Sequence, residues 1–402
     1  MPVSQSSDPE SLRSELIARA RDMFPIIRER AAEAEANRRL HDETQKMFVE
    51  AGFYRIFQPK RYGGYEMDFS VLIDLCAEIG RADGSACWVF SNLTGQSWIN
   101  GMKTEQAQDD VWGDNPDALI ASSFPGKGAT VKEVDGGWVV DGQWSFCSGV
   151  DFADWSNLQL FVKQENGPPK HYFALVPRED FEIVDDWFAS GLAATGSRSF
   201  RVNEVFIPRH RGLAATDAIG GPTPGSDVNP HPIYKMPFFA IGNKQYAGSA
   251  LGIAYGGLEA IEADLATRKS VQGVKLGDQP TVQVRIAEAG AEIDAARLVH
   301  LADIEDSQST AAGPTPPTQE QRARWRRNSA FAGQLCVRAL ERLFPLAGGR
   351  GLGFDSPYQR ALRDVRAATS QNSMAWDTQA IAYGAQRLGA VLDDPRLFPN
   401  RK

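Results

Sequence analysis

The spacing of apolar residues changes twice along the chain and divides it into three parts. Over residues 9–110 apolar side chains recur every three or four positions, which predicts helices. Between residues 118 and 212 short alternating runs replace that spacing, and Asp135-Gly-Gly137 between two of them is typical of a hairpin turn. From residue 242 onward the helical spacing returns. Helices, then strands, then helices are therefore expected.

The last part contains four long helical patterns, near residues 242–270, 280–309, 318–346 and 356–389. Four long helices joined mostly by short connections predict an antiparallel bundle. The stretch 213–235 before them is rich in Gly, Pro, Asp and Asn, which favours a long connection.

The predicted fold class is therefore α+β, mainly α. Its three parts should leave a groove where they meet, and such a groove is a usual place for a cofactor. The predicted parts are an N-terminal helical domain (1–117), a central β-barrel or sandwich domain (118–212), a linker (213–235) and a C-terminal four-helix bundle domain (236–402).

Composition narrows the classes of function. Lys and Arg number 43 against 51 Asp and Glu, a net charge of -8, and no basic stripe stands out, so no nucleic-acid partner is expected. No run of about eighteen apolar residues predicts a membrane span. The 4 cysteines and 5 histidines are scattered without metal-ligand spacing, so we expect no metal and reduced thiols in a cytoplasmic protein.

The hexapeptide Trp144-Ser-Phe-Cys-Ser-Gly149 lies at the end of a predicted strand. Small polar residues at such a place let a planar ring approach the backbone. The hydroxyl of Ser148 can hydrogen-bond a ring nitrogen or a peroxide oxygen. A strand end followed by a Ser-Gly turn is the purely structural alternative.

Further motifs surround the hexapeptide in a fixed order along nearly the whole chain. They are Pro59-Lys-Arg-Tyr-Gly-Gly-Tyr65, Arg81-Ala-Asp-Gly-Ser-Ala-Cys-Trp88, Gly191-Leu-Ala-Ala-Thr-Gly-Ser197, Val205-Phe-Ile-Pro208 and Ala361-Leu-Arg-Asp-Val-Arg366. Taken together in this order, they resemble the flavin-dependent monooxygenases of the acyl-CoA dehydrogenase fold, in particular the two-component aromatic hydroxylases.

The resemblance implies the oxygenase component of a two-component flavin-dependent monooxygenase. Such a protein is a homotetramer and receives reduced FMN or FAD from a separate NAD(P)H:flavin reductase. Oxygen adds to the reduced flavin, and the C4a-hydroperoxide hydroxylates an aromatic or heteroaromatic small molecule. The residues that the resemblance assigns to the flavin are Trp144, Phe146, Cys147, Ser148, Gly149, Thr195 and Ser197.

Two more positions are candidates for the flavin site. Arg268 follows a long helix, as does the arginine of related dehydrogenases that meets the flavin phosphates, although a surface arginine is an equal alternative. The glycine-rich stretch that begins with Gly348 and Gly349 follows a helix rather than a strand, so it fails the context of a dinucleotide-binding loop. It resembles the family's helix connection that approaches a flavin across a subunit contact, and a helix stop followed by a turn is the alternative.

The candidate substrate wall combines residues from three elements. Trp88 and Asn92 are one helical turn apart and share a face. Ser122 and Ser123 alternate across a strand, so only one of them can face the groove. The helix around residue 371, including Trp376, completes the set. Packing in the core is the alternative role for each.

The sequence departs from the family pattern in the last helix. In Ala367-Ala-Thr-Ser-Gln-Asn-Ser-Met-Ala-Trp-Asp377 the position of the family's histidine is occupied by Gln371. Histidine can act as a base near neutral pH, whereas glutamine can only hydrogen-bond. Either the substrate needs no base, or another group serves, with His300, His231 and Asp377 as candidates.

Asn372 bears on the competing functions. Acyl-CoA dehydrogenases commonly carry a catalytic glutamate near this point, and an asparagine cannot abstract a proton. The predicted catalytic set is therefore Ser148, Gln371 and Asn372. The alternatives left open are N- or S-oxygenation on the same fold, an acyl-CoA dehydrogenase-like oxidoreductase, and a flavin-binding or scaffold protein without turnover.

Overall fold

The structure, a computed structural model, describes residues 8–125 and 128–390. The outer ends of the predicted first and last domains lie outside these ranges. The helices are α1 (Pro9–Asn37), α2 (Asp42–Glu50), α3 (Ser70–Ala82), α4 (Gly84–Gly101), α5 (Glu105–Trp112), α6 (Phe238–Ile241), α7 (Lys244–Thr267), α8 (Pro280–Ala312), α9 (Gln319–Ala347), α10 (Pro357–Thr369) and α11 (Trp376–Arg387). The strands are β1 (Ile120–Pro125), β2 (Thr130–Val134), β3 (Gly137–Cys147), β4 (Trp155–Val162), β5 (Lys170–Pro177), β6 (Glu182–Val184), β7 (Arg198–Pro208) and β8 (Gly212–Ala214).

Helix α4 lies at the centre of the molecule, and all its residues are buried. Asp83 begins it by accepting a hydrogen bond from Ala86 N at 2.7 Å. The helix carries polar side chains as well as apolar ones, among them Asn92, Gln96 and Asn100. Because buried polar groups need partners, the neighbours of α4 have to supply hydrogen bonds.

The strands form one sheet in the order β6-β7-β3-β1-β4-β5-β8, with β2 paired to β3. The β1–β4 pair is parallel and the remaining pairs are antiparallel. Strand β3 begins directly after the predicted hairpin turn and carries the hexapeptide up to Cys147. The order of helical, sheet and helical parts confirms the predicted fold class.

The C-terminal part is a helical bundle whose fourth helix is interrupted. Helices α7, α8 and α9 occupy the predicted segments, but the predicted helix 356–389 is two helices, α10 and α11. Gln371 leaves the helix with ψ 137°, and its side-chain oxygen caps the next short turn by accepting from Ser373 N at 2.6 Å. Met374 in that turn is buried. Within the described residues, no helix has the length and apolar character needed to cross a membrane.

The predicted linker 213–235 is packed onto the N-terminal helices. Asn229 Nδ2 donates to the carbonyl oxygen of Gly101 at 2.8 Å, and Tyr234 Oη donates to that of Phe57 at 3.0 Å. The linker also contains most of strand β8, which pairs with β5. Its turn-forming composition thus marks an irregular segment that is held to the rest of the fold by buried residues such as Asn229 and Tyr234.

Candidate active site

The irregular end of strand β3 lies beside helix α4. The pairing of β3 with β7 shifts between Trp144 and Cys147, which marks a β-bulge. Within the bulge Phe146 has a left-handed backbone conformation, with φ 61°, and Gly149 follows with φ 74°. Phe146 is consequently turned outward, with 63% of its surface exposed. Ser148 is turned toward α4 and contacts Trp88. We call the region where α4, the end of β3 and α7 meet the groove.

Four predicted site residues form a continuous row of hydrogen bonds at the groove, here named the hydroxyl relay. Trp88 Nε1 lies 3.0 Å from Ser148 Oγ, which lies 2.7 Å from Ser197 Oγ. Ser197 Oγ is 2.7 Å from Thr195 Oγ1, which is 2.7 Å from the carbonyl oxygen of Leu192. All four side chains are buried, so these contacts are shielded from competing water.

The two ends of the hydroxyl relay fix the direction of every bond in it. An indole N–H can only donate, and a carbonyl oxygen can only accept. Thr195 therefore donates to Leu192 and must accept from Ser197. Ser197 has no further proton, so it must accept from Ser148. Ser148 accepts from Trp88 with one lone pair and donates its only hydroxyl proton to Ser197. Toward a ligand, the Ser148 hydroxyl can therefore only accept a hydrogen bond.

Flat aromatic side chains flank the hydroxyl relay. The indole of Trp88 stacks on Tyr246 of α7, with ring centroids 5.0 Å apart and planes 29° apart. Trp187 meets Phe146 edge-on, with centroids 6.4 Å apart. Asn92, one turn along α4, donates from Nδ2 to the carbonyl oxygen of Trp88 at 2.8 Å. Apolar surfaces of this kind suit a planar ring system.

Strand register decides which serine of β1 faces α4. Ser122 pairs with Asn157 of the parallel strand β4, so the two side chains share a face of the sheet. Asn157 Nδ2 donates to Gln96 Oε1 of α4 at 3.0 Å, which places Ser122 on the α4 side. Ser123 is fully buried on the other side, and its hydroxyl has no hydrogen-bond partner in the described part of the chain.

Two residues of the hexapeptide have their side chains inside the β domain. Trp144 is fully buried, and its N–H donates to the carbonyl oxygen of Gln159 at 3.1 Å. Cys147 is fully buried, with Sγ 3.7 Å from Ser156 Oγ. Burial raises the pKa of the Cys147 thiol to about 12, so the thiol stays protonated. A ligand in the groove would meet these two residues through their backbone.

Helices α4 and α10 run in the same direction against α7, since each is antiparallel to it. Asp364 of α10 packs on Gly84 at the start of α4, because a Cβ added at Gly84 would lie 2.9 Å from Asp364 Oδ2. Gln371 lies about 10 Å beyond Asp364 along the axis, and Asn92 lies about 12 Å beyond Gly84. The contacts that define these directions are Gly84 with Ile253, Gly95 with Gln245, and Gly257 with Ala361.

Gln371, two residues past the end of α10, therefore follows Asp364 in the same direction in which Asn92 follows Gly84. The oxygen of its amide is held by Ser373 N, so the N–H₂ group is turned away from that turn. The side chain of Asn372 is exposed, and Trp376 packs on Phe331 of α9 with centroids 5.5 Å apart. Among the described residues, no hydrogen bond links this segment to the hydroxyl relay.

Arg268 and the glycine-rich stretch are brought together at the end of α9. Arg268 Nη1 donates to the carbonyl oxygen of Ala347 at 2.9 Å and pairs with Asp264 at 2.8 Å. Gly348 directly after α9 has φ 61°, and a Cβ added there or at Gly349 would meet nothing within 4 Å. In this single chain Arg268 therefore stabilises a helix end that opens into an exposed turn.

The three alternative bases lie in different surroundings. His300 is fully buried near the ion pair of Lys244 with Asp303, and burial lowers the pKa of His300 well below its ordinary value. That histidine is enclosed in the bundle and cannot touch a ligand in the groove. His231 is partly buried, and burial lowers its pKa as well. Asp377 is exposed at the start of α11.

Two buried carboxyl groups join the three parts of the molecule beside the groove. Asp83 caps α4, and Asp364 of α10 accepts a hydrogen bond from Leu192 N at 2.6 Å. Burial raises the pKa of Asp83 to about 6. Burial and the neighbouring Asp83 raise the pKa of Asp364 to about 7. Leu192 thus links the bundle to the hydroxyl relay, because its N–H contacts Asp364 and its carbonyl contacts Thr195.

Comparison with known proteins shows the family to which the chain belongs. Residues 12–110 match the acyl-CoA dehydrogenase N-terminal domain, and residues 245–376 match the acyl-CoA dehydrogenase C-terminal domain. Over 374 residues the chain is 34% identical to the flavin-dependent monooxygenase, oxygenase subunit HsaA, of Rhodococcus jostii (strain RHA1), covering 92% of this chain and 98% of that protein. The chain belongs to the flavin-dependent monooxygenases of the acyl-CoA dehydrogenase fold.

This monooxygenase is also 33% identical over 386 residues to the FADH(2)-dependent resorcinol hydroxylase, oxygenase component, of Rhizobium sp. (strain MTP-10005), covering 93% of this chain and 94% of that protein. The crystal structure of 3-HSA hydroxylase from Rhodococcus sp. RHA1 superposes on the monooxygenase with a TM-score of 0.89 at 33% identity. That alignment covers 95% of this chain and 99% of the crystallised chain. The relationship therefore extends over the whole fold.

Three residues that contact the predicted site residues were not themselves predicted from the sequence. Tyr246 lies outside every motif, and only its contact with Trp88 marks it. Gln96 repeats the spacing of Trp88 and Asn92 along α4, so the same helical face could have indicated it. Leu192 acts through its backbone, which no residue type reveals.

Proposed function

We propose that this monooxygenase uses reduced FMN or FAD and O₂ to hydroxylate an aromatic or heteroaromatic small molecule, as the oxygenase component of a two-component system. The observation that carries the proposal is the direction of the hydroxyl relay. Ser148 can only accept a hydrogen bond, and reduced flavin has a ring N–H where oxidised flavin has a bare nitrogen. The groove is therefore matched to the reduced cofactor.

The donor and acceptor set of the groove fits a flavin. Ser148 would hold the ring N–H, while Ser197 and Thr195 keep the Ser148 hydroxyl in one orientation. The backbone of the hexapeptide offers an edge against which a planar ring can lie, and the outward Phe146 adds an apolar surface. Bound reduced flavin would supply two electrons to dioxygen, so that one oxygen atom enters the substrate and the other leaves as water.

The substrate side of the groove is assigned to α4 and to the break in the last helix. Trp88 and Tyr246 exclude water, which protects an oxygen-reactive site from wasteful loss of peroxide. Asn92 and Ser122 present polar groups beside them. The free N–H₂ group of Gln371 would donate to a substrate oxygen, while Asn372 and Trp376 close the same end.

A glutamine at position 371 cannot take a proton from the substrate. The proposal therefore covers electron-rich rings and phenols that enter as anions, whose own charge makes the ring carbon nucleophilic. Resorcinol, the substrate in the name of one relative, belongs to this chemical class.

We propose further that the protein is a cytoplasmic homotetramer fed by a separate NAD(P)H:flavin reductase. The curated relatives are themselves named as an oxygenase subunit and an oxygenase component. Large apolar side chains remain exposed on the bundle, and such side chains favour subunit contacts. They are Leu298, Leu352, Phe354 and Ile381, each at least 65% exposed. At such a contact Arg268, Gly348 and Gly349 would approach the flavin phosphates of a neighbouring subunit.

The test is turnover with isotopically labelled dioxygen. The purified chain is supplied with a flavin reductase, NADH, FMN or FAD, and a panel of phenols, indoles, amines and sulfides. The proposal predicts one labelled oxygen atom on the ring of an aromatic compound, and light scattering is expected to give the mass of a tetramer. Label found only on nitrogen or sulfur, or hydrogen peroxide as the only product with every compound, would overturn the proposed ring hydroxylation.

A further inference from the structure

A second one-way row of hydrogen bonds begins at a buried lysine. Lys103 lies just beyond the end of α4, and its side chain is fully buried. Its Nζ lies 3.2 Å from the carbonyl oxygen of Arg211 and 3.3 Å from Asn157 Oδ1. It also donates to the carbonyl oxygen of Phe173. All three partners are neutral oxygens.

Three oxygens around one nitrogen indicate that Lys103 is an ammonium. The ammonium has three N–H donors, whereas the neutral amine has two donors and a lone pair. Burial lowers the pKa of Lys103 well below its ordinary value. The three acceptors oppose that shift because they hydrogen-bond the charged form. With the ammonium present, Asn157 must turn its carbonyl oxygen toward Lys103.

The direction set by Lys103 is passed on to helix α4. Asn157 Nδ2 is left to donate, and it does so to Gln96 Oε1 at 3.0 Å. The amide nitrogen of Gln96 is consequently turned away from Asn157, although the residue as a whole is only 3% exposed. Both amide atoms of Asn100 are enclosed without a partner in the described chain, whereas Gln96 Nε2 is not among the enclosed side-chain atoms that lack a hydrogen-bond partner. The row Lys103–Asn157–Gln96, named the amide relay, thus ends in the N–H donors of Gln96.

We assign the side of α4 that carries Gln96 to the far end of the groove. Gln96 follows Trp88 by about two helical turns and Asn92 by about one, so the three share one side of α4. Ser122 lies beside Gln96, since it pairs with Asn157 in the sheet. The distance from Trp88 to Gln96 along the axis is about 12 Å, which is longer than a single aromatic ring.

We propose that Gln96 Nε2 donates a hydrogen bond to a phenolate oxygen of the substrate, and that Lys103 is the positioning residue that orients this donor through Asn157. This inference rests on the proposed function. The ammonium polarises both amides, so the donor favours negative charge on the oxygen that it meets. The phenol loses its proton to water and binds as the anion. Electrostatics at Gln96 thereby replaces the base that Gln371 cannot provide.

The test uses 2,6-difluorophenol, a phenol that ionises near neutral pH, and 1,3-difluorobenzene, which has the same fluorines and no oxygen. Both are titrated anaerobically into the protein loaded with reduced flavin and followed by fluorine NMR, which reports binding and ionisation without turnover. In the unaltered protein the bound phenol should titrate at least about one pH unit below the free phenol. The oxygen-free compound should also bind, because it fits the same apolar walls.

Two isosteric variants probe the amide relay. Gln96→Glu places a carboxylate oxygen where the donor was, and should weaken phenolate binding about ten- to a hundredfold. Asn157→Asp keeps the contact with Lys103 but can no longer donate to Gln96, so the Gln96 amide should reverse and present oxygen. Both variants should change the affinity for 1,3-difluorobenzene less than about twofold. Thr94→Val, a buried hydroxyl of α4 outside the relay, is the matched control and should leave the phenol's titration unchanged.

The outcomes separate this inference from the proposed function. Phenolate binding that both variants leave intact, in proteins whose circular dichroism and thermal midpoint match the parent, overturns the amide relay and leaves the proposed hydroxylation standing. A bound phenol that titrates like the free phenol also overturns the amide relay and leaves the proposed hydroxylation standing. If neither compound binds the loaded protein, the groove is not an aromatic site, and both proposals fall.

Discussion

Trp88 Nε1 donates to Ser148 Oγ over 3.0 Å, and this hydrogen bond joins helix α4 to the end of strand β3. This hydrogen bond also helps to orient the other hydroxyl groups of the relay. Because the indole cannot accept, it fixes one end of the hydroxyl relay, while the Leu192 carbonyl fixes the other. Leu192 N is held in turn by Asp364 of α10. The orientation of one serine hydroxyl is therefore set by all three parts of the molecule.

Replacing Ser148 by alanine removes the acceptor that the relay offers to a ligand. We expect Ser148→Ala to lower the affinity for reduced flavin about tenfold, the effect of losing one hydrogen bond of about 1–1.5 kcal/mol. Hydrogen peroxide should increase relative to hydroxylated product. Ser145→Ala is the matched control, since Ser145 is a near neighbour that hydrogen-bonds Ser199 at 3.0 Å instead. Equal effects of the two substitutions on an anaerobic titration would remove Ser148 from the site.

Thr195→Val tests the direction of the relay rather than its presence. Valine keeps the shape of threonine but cannot donate to Leu192 or accept from Ser197. The Ser197 proton is then free to point back, and Ser148 becomes able to donate to a bare nitrogen. The ratio of oxidised-flavin to reduced-flavin affinity should therefore rise in the variant. A ratio unchanged from that of the parent protein would show that the relay direction does not select the redox state.

Gln371→His tests the role of the break in the last helix. A histidine there can take a proton, and its pKa near neutrality should introduce a rise in turnover between about pH 6 and pH 7. The parent protein should lack that rise, because glutamine does not titrate. Gln371→Glu serves as a second variant, since its carboxylate can still accept from Ser373 N and keep the turn. Turnover and pH profile identical to the parent in both variants would place Gln371 outside the site.

Asp364 makes stability depend on pH in a defined sense. Its pKa rises from an ordinary 3.8 to about 7 in the folded protein, so the folded state holds the proton more tightly than the unfolded state. Stability should therefore fall as pH rises from about 4 to about 7, and the loss is complete above that range. Asp364→Asn keeps an oxygen for Leu192 N but cannot ionise.

The variant should therefore become more stable relative to the parent as pH rises through this window. Urea unfolding from about pH 5 to about pH 8 measures the difference. The unfolding free energy of the variant minus that of the parent should increase with pH. A value that stays constant or decreases as pH rises would contradict the buried, proton-retaining state of Asp364.

Periodicity predicted the helical and strand-bearing parts because burial imposes a repeat that the sequence displays directly. The break at Gln371 was not predicted, because residues 367–377 contain neither Gly nor Pro. The helix ends there because the Gln371 side chain caps the following turn, and Met374 packs into the bundle. The position of this helix end depends on tertiary contacts, which a local sequence pattern does not contain.

The sequence predicted that certain segments meet, but it did not predict the directions of their side chains. The hexapeptide and the Thr195–Ser197 pair were singled out, and they do meet. That only one of Ser122 and Ser123 faces the groove followed from strand alternation, but choosing between them required the register against Asn157. The inward side chains of Trp144 and Cys147 follow from the β-bulge, which the sequence does not reveal.

If Ser148 offers only an acceptor, the groove should receive reduced flavin in preference to oxidised flavin. This preference can be measured by anaerobic titration of the purified protein with FMN and FAD, each in its reduced and oxidised state. We expect a saturable complex with at least one reduced flavin and binding of the corresponding oxidised flavin at least about tenfold weaker, the effect of one mismatched hydrogen bond. Absence of any complex with reduced flavin, or tighter binding of the oxidised form, would contradict it.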